Sequence, residues 1–344
     1  MIARAAGVSL MTVSYAMRDR PEVSVAERRR IRALAEKIGY RPDPLLTHLM
    51  AHLRAHRTPK TSANLAVLTM LDATFVRRLI TGATARAGRL GYNLDCVDAR
   101  AIANNPRTLT RMLLARGVTG VLLAPAEDPA GYSGLLDWRN FAAVAMTYSL
   151  VEPHVNRVVT HHYDNAVRTF ALLTDKGFRR IGLAMTRDME FRANHSYSGA
   201  YYRMLPMSGQ PSPPLLFLDE GSPGAIARWF AKYQPDAVVL ANANHLNDSI
   251  LPQITRAVAN RTAFVCLDHD EAYRVSGIDQ LFETIGSHAV DTLVAQLHRN
   301  ERGLPENPTV TMVEGQWLDT CGFHPFAVRR RTKTGAMAPV RTTI

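Results

Sequence analysis

The chain has few cysteines and no long hydrophobic run. Its three cysteines, Cys96, Cys266 and Cys321, lie far apart among 344 residues and lack the close spacing of zinc or redox motifs. We therefore expect reduced thiols packed in a core. No segment reaches the roughly 18–20 apolar residues that cross a bilayer, and Arg4 interrupts the start where a secretory signal would be apolar. These absences predict a cytoplasmic protein.

Motifs of catalysis and cofactor binding are missing as well. The sequence has no nucleophile elbow, P-loop, glycine-rich dinucleotide fingerprint or HExxH pair. His48, His52 and His56 recur every four residues and could chelate zinc, but no carboxylate or cysteine nearby completes a ligand set. The sequence therefore predicts neither an enzyme nor a bound metal or other cofactor.

Positive charge is abundant but unevenly distributed. The net charge is +11, and residues 1–60 carry 12 Lys and Arg against 5 Asp and Glu. Residues 326–344 carry 5 basic residues and no acidic ones, which leaves the long middle of the chain near neutrality. A small basic head on a neutral body suggests a polyanion-binding module, and a merely solvated charged surface is the alternative.

The basic head has the pattern of three short helices. Ile2–Ala6 and Leu10–Met17 are separated by a glycine turn, with Ser9 as N-cap of the second helix. A third helix begins after Ser24, in a capping box with the glutamate three residues on, and runs to about Ile38. Two short helices braced by a third predict a helix-turn-helix.

Four segments follow from composition and pattern. The head covers residues 1–41, and prolines then start a hinge helix and polar linker over residues 42–62. Residues 63–325 alternate apolar strands with amphipathic helices, which predicts an α/β core of parallel sheets in two lobes. The basic tail, residues 326–344, has no periodicity and is expected to be disordered.

In open α/β sheets a ligand binds at the carboxyl ends of the strands, so a ligand is expected at those ends in this core.

Specific motifs in the head and body resemble those of the LacI/GalR family of bacterial transcription regulators. In the head these are "AGVSLMTVSYA" at residues 6–16 and "IGYRPD" at residues 38–43. In the body, "VTHHYDN", "SGIDQ" and "VEGQW" resemble family segments, so that the likeness covers about residues 1–323. The family's chains have several residues ahead of the first helix, whereas Met1 already lies in it, so the head resembles one that lacks its first few residues.

The resemblance implies a homodimer that binds double-stranded operator DNA and a sugar-like small-molecule effector. It also implies a periplasmic-binding-protein-like core behind an all-α head, with no membrane partner and a nucleoid-associated location. In that core the first lobe would comprise about residues 63–160 and 275–300, and the second about 161–274 and 301–325. The DNA contacts carried over from the family are Ser9, Leu10, Met11, Thr12, Ser14, Tyr15, Ser24 and, as a minor-groove wedge on the hinge helix, Leu49. The second helix would pack apolar side chains on thymine methyl groups, and the wedge would kink the operator.

Effector contacts are carried over with less correspondence. The expected effector-binding residues at the cleft are Asp72, Phe75, Arg192, Asn194, His195, Asn242 and Asp268. An aromatic ring, an arginine and several amides and carboxylates suit a polyhydroxylated ligand. The function expected is therefore effector-controlled transcriptional repression, and a cytosolic or periplasmic-type solute-binding sensor without effective DNA binding is the alternative.

Overall fold

The computed structural model describes residues 2–17, 22–38, 64–101, 106–204, 213–220, 223–320 and 340–341. The first two ranges form the three predicted helices of the head: α1 (Ile2–Ala6), α2 (Leu10–Met17) and α3 (Val25–Lys37). Residues 39–63, and with them the predicted hinge helix, Leu49 and the three spaced histidines, lie outside the described residues.

Side-chain caps explain where the head helices begin. The hydroxyl of Ser9 accepts a hydrogen bond from the backbone N–H three residues on at 3.0 Å, and that of Ser24 from the N–H of Glu27 at 3.3 Å. Each bond satisfies a backbone donor that has no partner within the helix. The side chain of Glu27 binds Arg30 instead of returning to the cap, so the expected capping box forms only one of its two bonds.

A small apolar core holds the three helices together. Ala6, Ala16, Val23 and Ile31 are buried in it. Arg30 adds a long-range bond, because its guanidinium donates to the backbone carbonyl of Ala6 at 2.8 Å and so ties α3 to α1. The helix-turn-helix predicted from the sequence is thus a packed unit.

The body alternates strands and helices. The strands are β1 (Asn64–Thr69), β2 (Asn93–Asp98), β3 (Val118–Leu123), β4 (Ala142–Ala145), β5 (Asn156–Thr160), β6 (Ile181–Met185), β7 (Leu216–Phe217), β8 (Ala237–Leu240), β9 (Ala263–Cys266), β10 (Ser276–Asp279), β11 (Val310–Val313), β12 (Gln316–Asp319) and β13 (Val340–Arg341). The helices are α4 (Thr74–Arg89), α5 (Pro106–Ala115), α6 (His162–Asp175), α7 (Arg187–Arg192), α8 (Ser196–Met204), α9 (Ala225–Tyr233), α10 (Arg256–Arg261) and α11 (Phe282–Arg299).

The strands form two sheets, one in each lobe. The first has the order β11-β5-β4-β3-β1-β2, and all its pairs are parallel. The second has the order β13-β12-β10-β9-β8-β6-β7 and is parallel except at the pairs that β12 makes. Apolar clusters cover both faces of each sheet: α4 and α11 pack on one face of the first sheet and α5 on the other, while α6 and α8 face α9 across the second. The α/β two-lobed core predicted from the sequence is confirmed.

The chain crosses between the lobes three times, and two of the expected lobe boundaries are wrong. Residues 276–279 were expected in the first lobe but pair with β9 and β12 of the second sheet, so the chain returns to the first lobe at Gln280. Residues 310–313 were expected in the second lobe but pair with β5 of the first. Short strands beside a crossover belong to whichever edge they pair with, and a linear pattern does not reveal that partner.

Several local expectations also need correction. The sequence pattern of residues 248–260 predicts one helix, but the structure divides this segment into a π-helical turn, Leu246–Ile250, a 3₁₀ turn, Leu251–Gln253, and α10. Pro252 explains the break, because proline supplies no N–H to a helix interior. The short helix α7 is absent from the sequence prediction. In the tail expected to be disordered, Val340–Arg341 pairs with β12, and residues 326–339 and 342–344 lie outside the described part.

The predicted free thiols are confirmed for two of the three cysteines. Cys266 is buried, but Cys96 is exposed on β2 at the sheet edge rather than packed in a core. Cys321 lies outside the described residues. No helix within the described ranges is long and apolar enough to cross a membrane.

Candidate functional site

The polar surface of the head lies at the amino end of α2. The hydroxyls of Ser9 and Thr12 lie 2.9 Å apart and hydrogen-bond each other, and Ser9 and Ser24 are exposed. Thr12 is partly buried, and Tyr15 packs against the head core, which leaves only part of its ring for an outside contact. Leu10, Met11 and Ser14 lie on the same helix.

A cavity of about 610 Å³ lies between the two lobes of the body. The ends of β1, β3, β8 and β9 reach it, as parallel strands predict, and contribute Leu71, Pro125, Asn242 and Asp268. A second cavity of about 610 Å³ adjoins it and shares Phe75, Asn242, Asp268 and Phe282 with it.

Four of the seven expected effector residues line the first cavity: Phe75, Arg192, Asn242 and Asp268. Asp72 does not; it is exposed and forms an ion pair with Arg77. The turn between α7 and α8 carries the other two, Asn194 and His195, away from the cleft.

That turn has a conformation that residues other than glycine rarely adopt. The φ angles of Asn194 and His195 are +52° and +56°, in the left-handed region. Both residues are exposed, and Nδ1 of His195 lies 3.4 Å from a carboxylate oxygen of the buried Glu190. These contacts shape the turn that connects two cleft-lining helices, and neither side chain faces the cavity.

Arg192 reaches across the cleft rather than lying open to it. Its Nε pairs with Asp188 of the same helix at 2.6 Å, and its Nη1 donates to the carbonyl of Ala126 in the first lobe at 2.9 Å. The side chain is 22% exposed. The arginine therefore links the lobes through the end of the segment that follows β3.

A buried chain of hydrogen bonds at the cleft floor was missed by the sequence reading. The hydroxyl of Thr160 donates to Oε1 of Gln280 at 3.0 Å, and Nε2 of Gln280 donates to the hydroxyl of Tyr197 at 3.3 Å and to the carbonyl of Leu267 at 2.8 Å. The Tyr197 oxygen lies 2.9 Å from Nδ1 of His162. Thr160 and Gln280 stand at two of the crossovers, so this chain joins the hinge to the cavity wall.

The same chain reaches the ring of His162. The Tyr197 hydroxyl accepts from Gln280 and forms a second hydrogen bond with Nδ1 of His162, in which either group can donate according to the tautomer of the ring. Burial, with a smaller contribution from His161, lowers the pKa of His162 to about 4. His162 therefore lines the cavity as a neutral ring. Its position directly after a buried strand, in "VTHHYD", was the available signal.

Asp268 is the most perturbed acid in the cleft. Burial is the main cause that raises its pKa to about 7; Arg78 opposes the rise, Asp270 and Asp279 add to it, and the bond from Asn242 opposes it. Nδ2 of Asn242 donates to Oδ2 of Asp268 at 3.0 Å. Near neutral pH this carboxyl group exists in both protonation states.

In the described part of the chain, no group of three or more His, Cys, Asp or Glu side chains is arranged to hold a metal ion.

A family model for "Bacterial regulatory proteins, lacI family" matches residues 2–43, which contain α1 to α3 and their caps. The match to the lacI family is confined to this head. The chain is 23% identical over 181 residues to the HTH-type transcriptional repressor PurR of Vibrio cholerae, covering 52% of each chain. It is 25% identical over 184 residues to the repressor CytR of Escherichia coli K12, covering 53% of this chain and 51% of CytR. The match spans about half the length of these curated relatives.

The fold of the chain agrees with a solved structure of the lac repressor dimer bound to operator and the anti-inducer ONPF. The identity is 19%, the likeness covers 92% of this chain and 96% of the other, and the TM-score is 0.53. At this identity the likeness establishes the two-lobed fold.

Proposed function

We propose that the protein is a sequence-specific DNA-binding transcriptional repressor, controlled by a small molecule that binds between its lobes. The observation that carries the proposal is the capped helix-turn-helix of residues 2–38, within a match to the lacI family, joined in one chain to a two-lobed core with a central cavity. The catalytic motifs sought in the sequence are absent, and PurR and CytR are repressors. We therefore assign it no enzymatic activity.

DNA recognition would rest on α2 in the major groove. Ser9, Leu10, Met11, Thr12, Ser14 and Tyr15 are the contacts that we propose, with Ser24 at the start of the bracing helix. Apolar side chains there favour thymine methyl groups over guanine edges. Two copies of the chain would read two half-sites of a pseudo-palindrome, and Leu49 would insert at its centre. The protein would act in the cytoplasm, in association with the nucleoid.

The effector we propose is a sugar or a related polyhydroxylated metabolite. Hydroxyl, amide and carboxylate groups line a cavity that also has aromatic rings, which suits a ligand with a polar rim and an apolar face. The crossovers run beside this cavity, so a ligand that changes the closure of the lobes also changes the geometry of the segments that join them.

Selection of binding sites from a random DNA pool with the full chain tests the proposal. We expect a pseudo-palindrome with thymines where α2 reads the bases. Leu49→Ala should then weaken binding to the selected site by at least tenfold, because it removes the apolar side chain that kinks the DNA at the centre of the site. The core should remain folded. Leu114→Ala, which truncates an exposed leucine on α5, serves as the control and should bind normally.

Failure to enrich any sequence would reject the repressor function. If the core still bound a small molecule in that case, the alternative of a solute-binding sensor would stand.

A further inference from the structure

The cleft is acidic in a protein that is basic as a whole. Among the described residues that line the two adjoining cavities, the ionisable acids are Glu127, Asp188, Asp268, Asp270, Glu271, Asp279 and Glu283, and the only arginines or lysines are Arg192 and Arg78. The chain carries a net charge of +11. The local field of the cleft is therefore opposite in sign to that of the molecule, and a cleft of one sign attracts ligands of the other.

Both arginines are already bound to protein acceptors. Arg192 pairs with Asp188 and with a carbonyl across the cleft. Arg78 donates to Asp279 at 3.0 Å and, through two nitrogens, to Glu283 at 2.7 Å each. The charge of each guanidinium is therefore already balanced by a carboxylate of the protein. A phosphate or carboxylate entering the cleft would meet excess negative charge without a free cation.

Asp268 is the carboxylate best placed to receive a ligand. It lines both cavities, so it lies where they join. Its hydrogen-bond partner is the neutral amide of Asn242, at Oδ2. The charged and titratable groups facing it are Arg78, which is held by two other carboxylates, together with Asp270, Asp279 and the buried Tyr197. Ionising a buried carboxyl group next to other carboxylates costs free energy unless a cation pairs with it.

Apolar rings stand on the walls around this group. Phe75 and Phe282 line both cavities, with their centroids 5.6 Å apart, and Tyr148 lies beside His162 in the first. Such rings bind the apolar face of a ligand and also attract organic cations. The neutral His162 adds a polar ring and no charge.

We propose that the effector carries a positively charged nitrogen that pairs with Asp268, on a hydroxylated or ring-bearing body that packs against Phe75 and Phe282. The inference deepens the proposed function, on which it rests for the role of the ligand, by naming the ligand's charge class. The cleft excludes anionic metabolites and prefers an amine to the matching alcohol.

Binding of such a ligand is linked to the proton on Asp268. An ammonium group pairs with the ionised carboxylate, so a ligand must displace the proton wherever Asp268 is protonated. Since the pKa of Asp268 is about 7 in the free protein, the ionised fraction and the affinity both fall as the pH drops from 8 to 6. An alcohol, which carries no charge, gains much less from the ionised form.

Matched ligands test the proposal in the full chain. The probes are glucamine, glucitol and gluconate, which differ only at one terminal carbon, and benzylamine, benzyl alcohol and benzoate. Thermal shift and calorimetric titration at pH 8 should show the amine of at least one set binding at least tenfold tighter than its alcohol, with no binding of the carboxylate. That preference should shrink by about tenfold at pH 6, following the ionised fraction of Asp268.

Two variants locate the effect. Asp268→Asn should abolish the preference for the amine and its pH dependence, and should raise the melting temperature of the ligand-free protein because it removes a buried charge. Glu220→Gln removes an exposed carboxylate of the same lobe that lines neither cavity, and should change neither property.

An alcohol or carboxylate that binds as tightly as its amine would overturn the proposal. So would an absence of binding by every amine at millimolar concentration, or an amine preference that survives Asp268→Asn. These outcomes are independent of the DNA selection: failure of that selection with amine binding intact removes the repressor function alone, and a selected operator with no amine preference removes this inference alone.

Discussion

Two buried glutamines on α11 and just before it differ in what their amides contact. Gln280 is 4% exposed and joins Thr160, Tyr197 and the carbonyl of Leu267. Replacing it with leucine leaves these buried groups unpaired, and each such group costs about 1–3 kcal/mol. We expect Gln280→Leu to lower the free energy of unfolding by at least about 2 kcal/mol, measured by urea denaturation, and to disturb the orientation of His162 at the cavity wall.

Gln296 provides a matched control for this substitution. It is 5% exposed, and its Oε1 has no hydrogen-bond partner in the described structure. Gln296→Leu therefore removes an unsatisfied polar atom and should be neutral or stabilising. An equal loss of stability in both variants would show that volume, not the hydrogen bonds at the crossovers, determines the effect.

At the scale of elements, the closest contact between helices is made by glycine. A Cβ atom added to Gly286 of α11 would lie 2.0 Å from the carbonyl oxygen of Leu79 on α4, and one added to Gly82 would lie 1.9 Å from that of Glu283. The two helices must separate to accept a methyl group, which opens the apolar cluster beneath them. We expect Gly286→Ala to cost about 1–3 kcal/mol or more, as overpacking does, with a matching fall in melting temperature.

Gly88, also on α4, is the control for that change. Nothing lies within 4 Å of an added Cβ there, and alanine has the higher helix propensity. Gly88→Ala should stabilise the protein by about 0.5–1 kcal/mol. If Gly286→Ala were equally harmless, the close crossing of α4 and α11 would be refuted.

Elements built from local signals were predictable, and those that depend on distant partners were not. The serine caps of α2 and α3, the apolar strands and the polar residues at the ends of β8 and β9 are readable from a few adjacent residues. The sheets to which β10 and β11 belong depend on their pairing partners, and the partner of β11 lies more than 100 positions away. The role of Gln280 likewise depends on Thr160, which is 120 positions away. A proline at 252 was a local signal that the helix prediction overrode.

The residues of the cleft can likewise be divided into those that the sequence predicts and those that it does not. Phe75, Asn242 and Asp268 follow strands whose carboxyl ends must converge, so their place at the cavity could be predicted. Asp72 and His195 are neighbours in sequence of cleft residues, but Arg77 and Glu190 bind them elsewhere. The acidity of the cleft comes mostly from residues 268–283, and only the contributions of Glu127 and Asp188 depend on distant parts of the chain.

At the scale of the whole molecule, Arg192 is the described side chain that bonds one lobe to the backbone of the other across the cavity. Its bond to the carbonyl of Ala126 is charge-assisted, and such bonds contribute about 1.5–3 kcal/mol. Removing it with Arg192→Gln should lower the closed fraction of the ligand-free protein about tenfold or more. Small-angle scattering should show a larger radius of gyration, and hydrogen exchange should accelerate after β3.

Arg187→Gln on the same helix breaks an ion pair with Glu220 inside one lobe, so its scattering should match that of the parent. If both variants scattered alike, Arg192 would have no part in holding the lobes together, and closure would depend on the crossovers, the Arg78–Asp279 ion pair and the ligand.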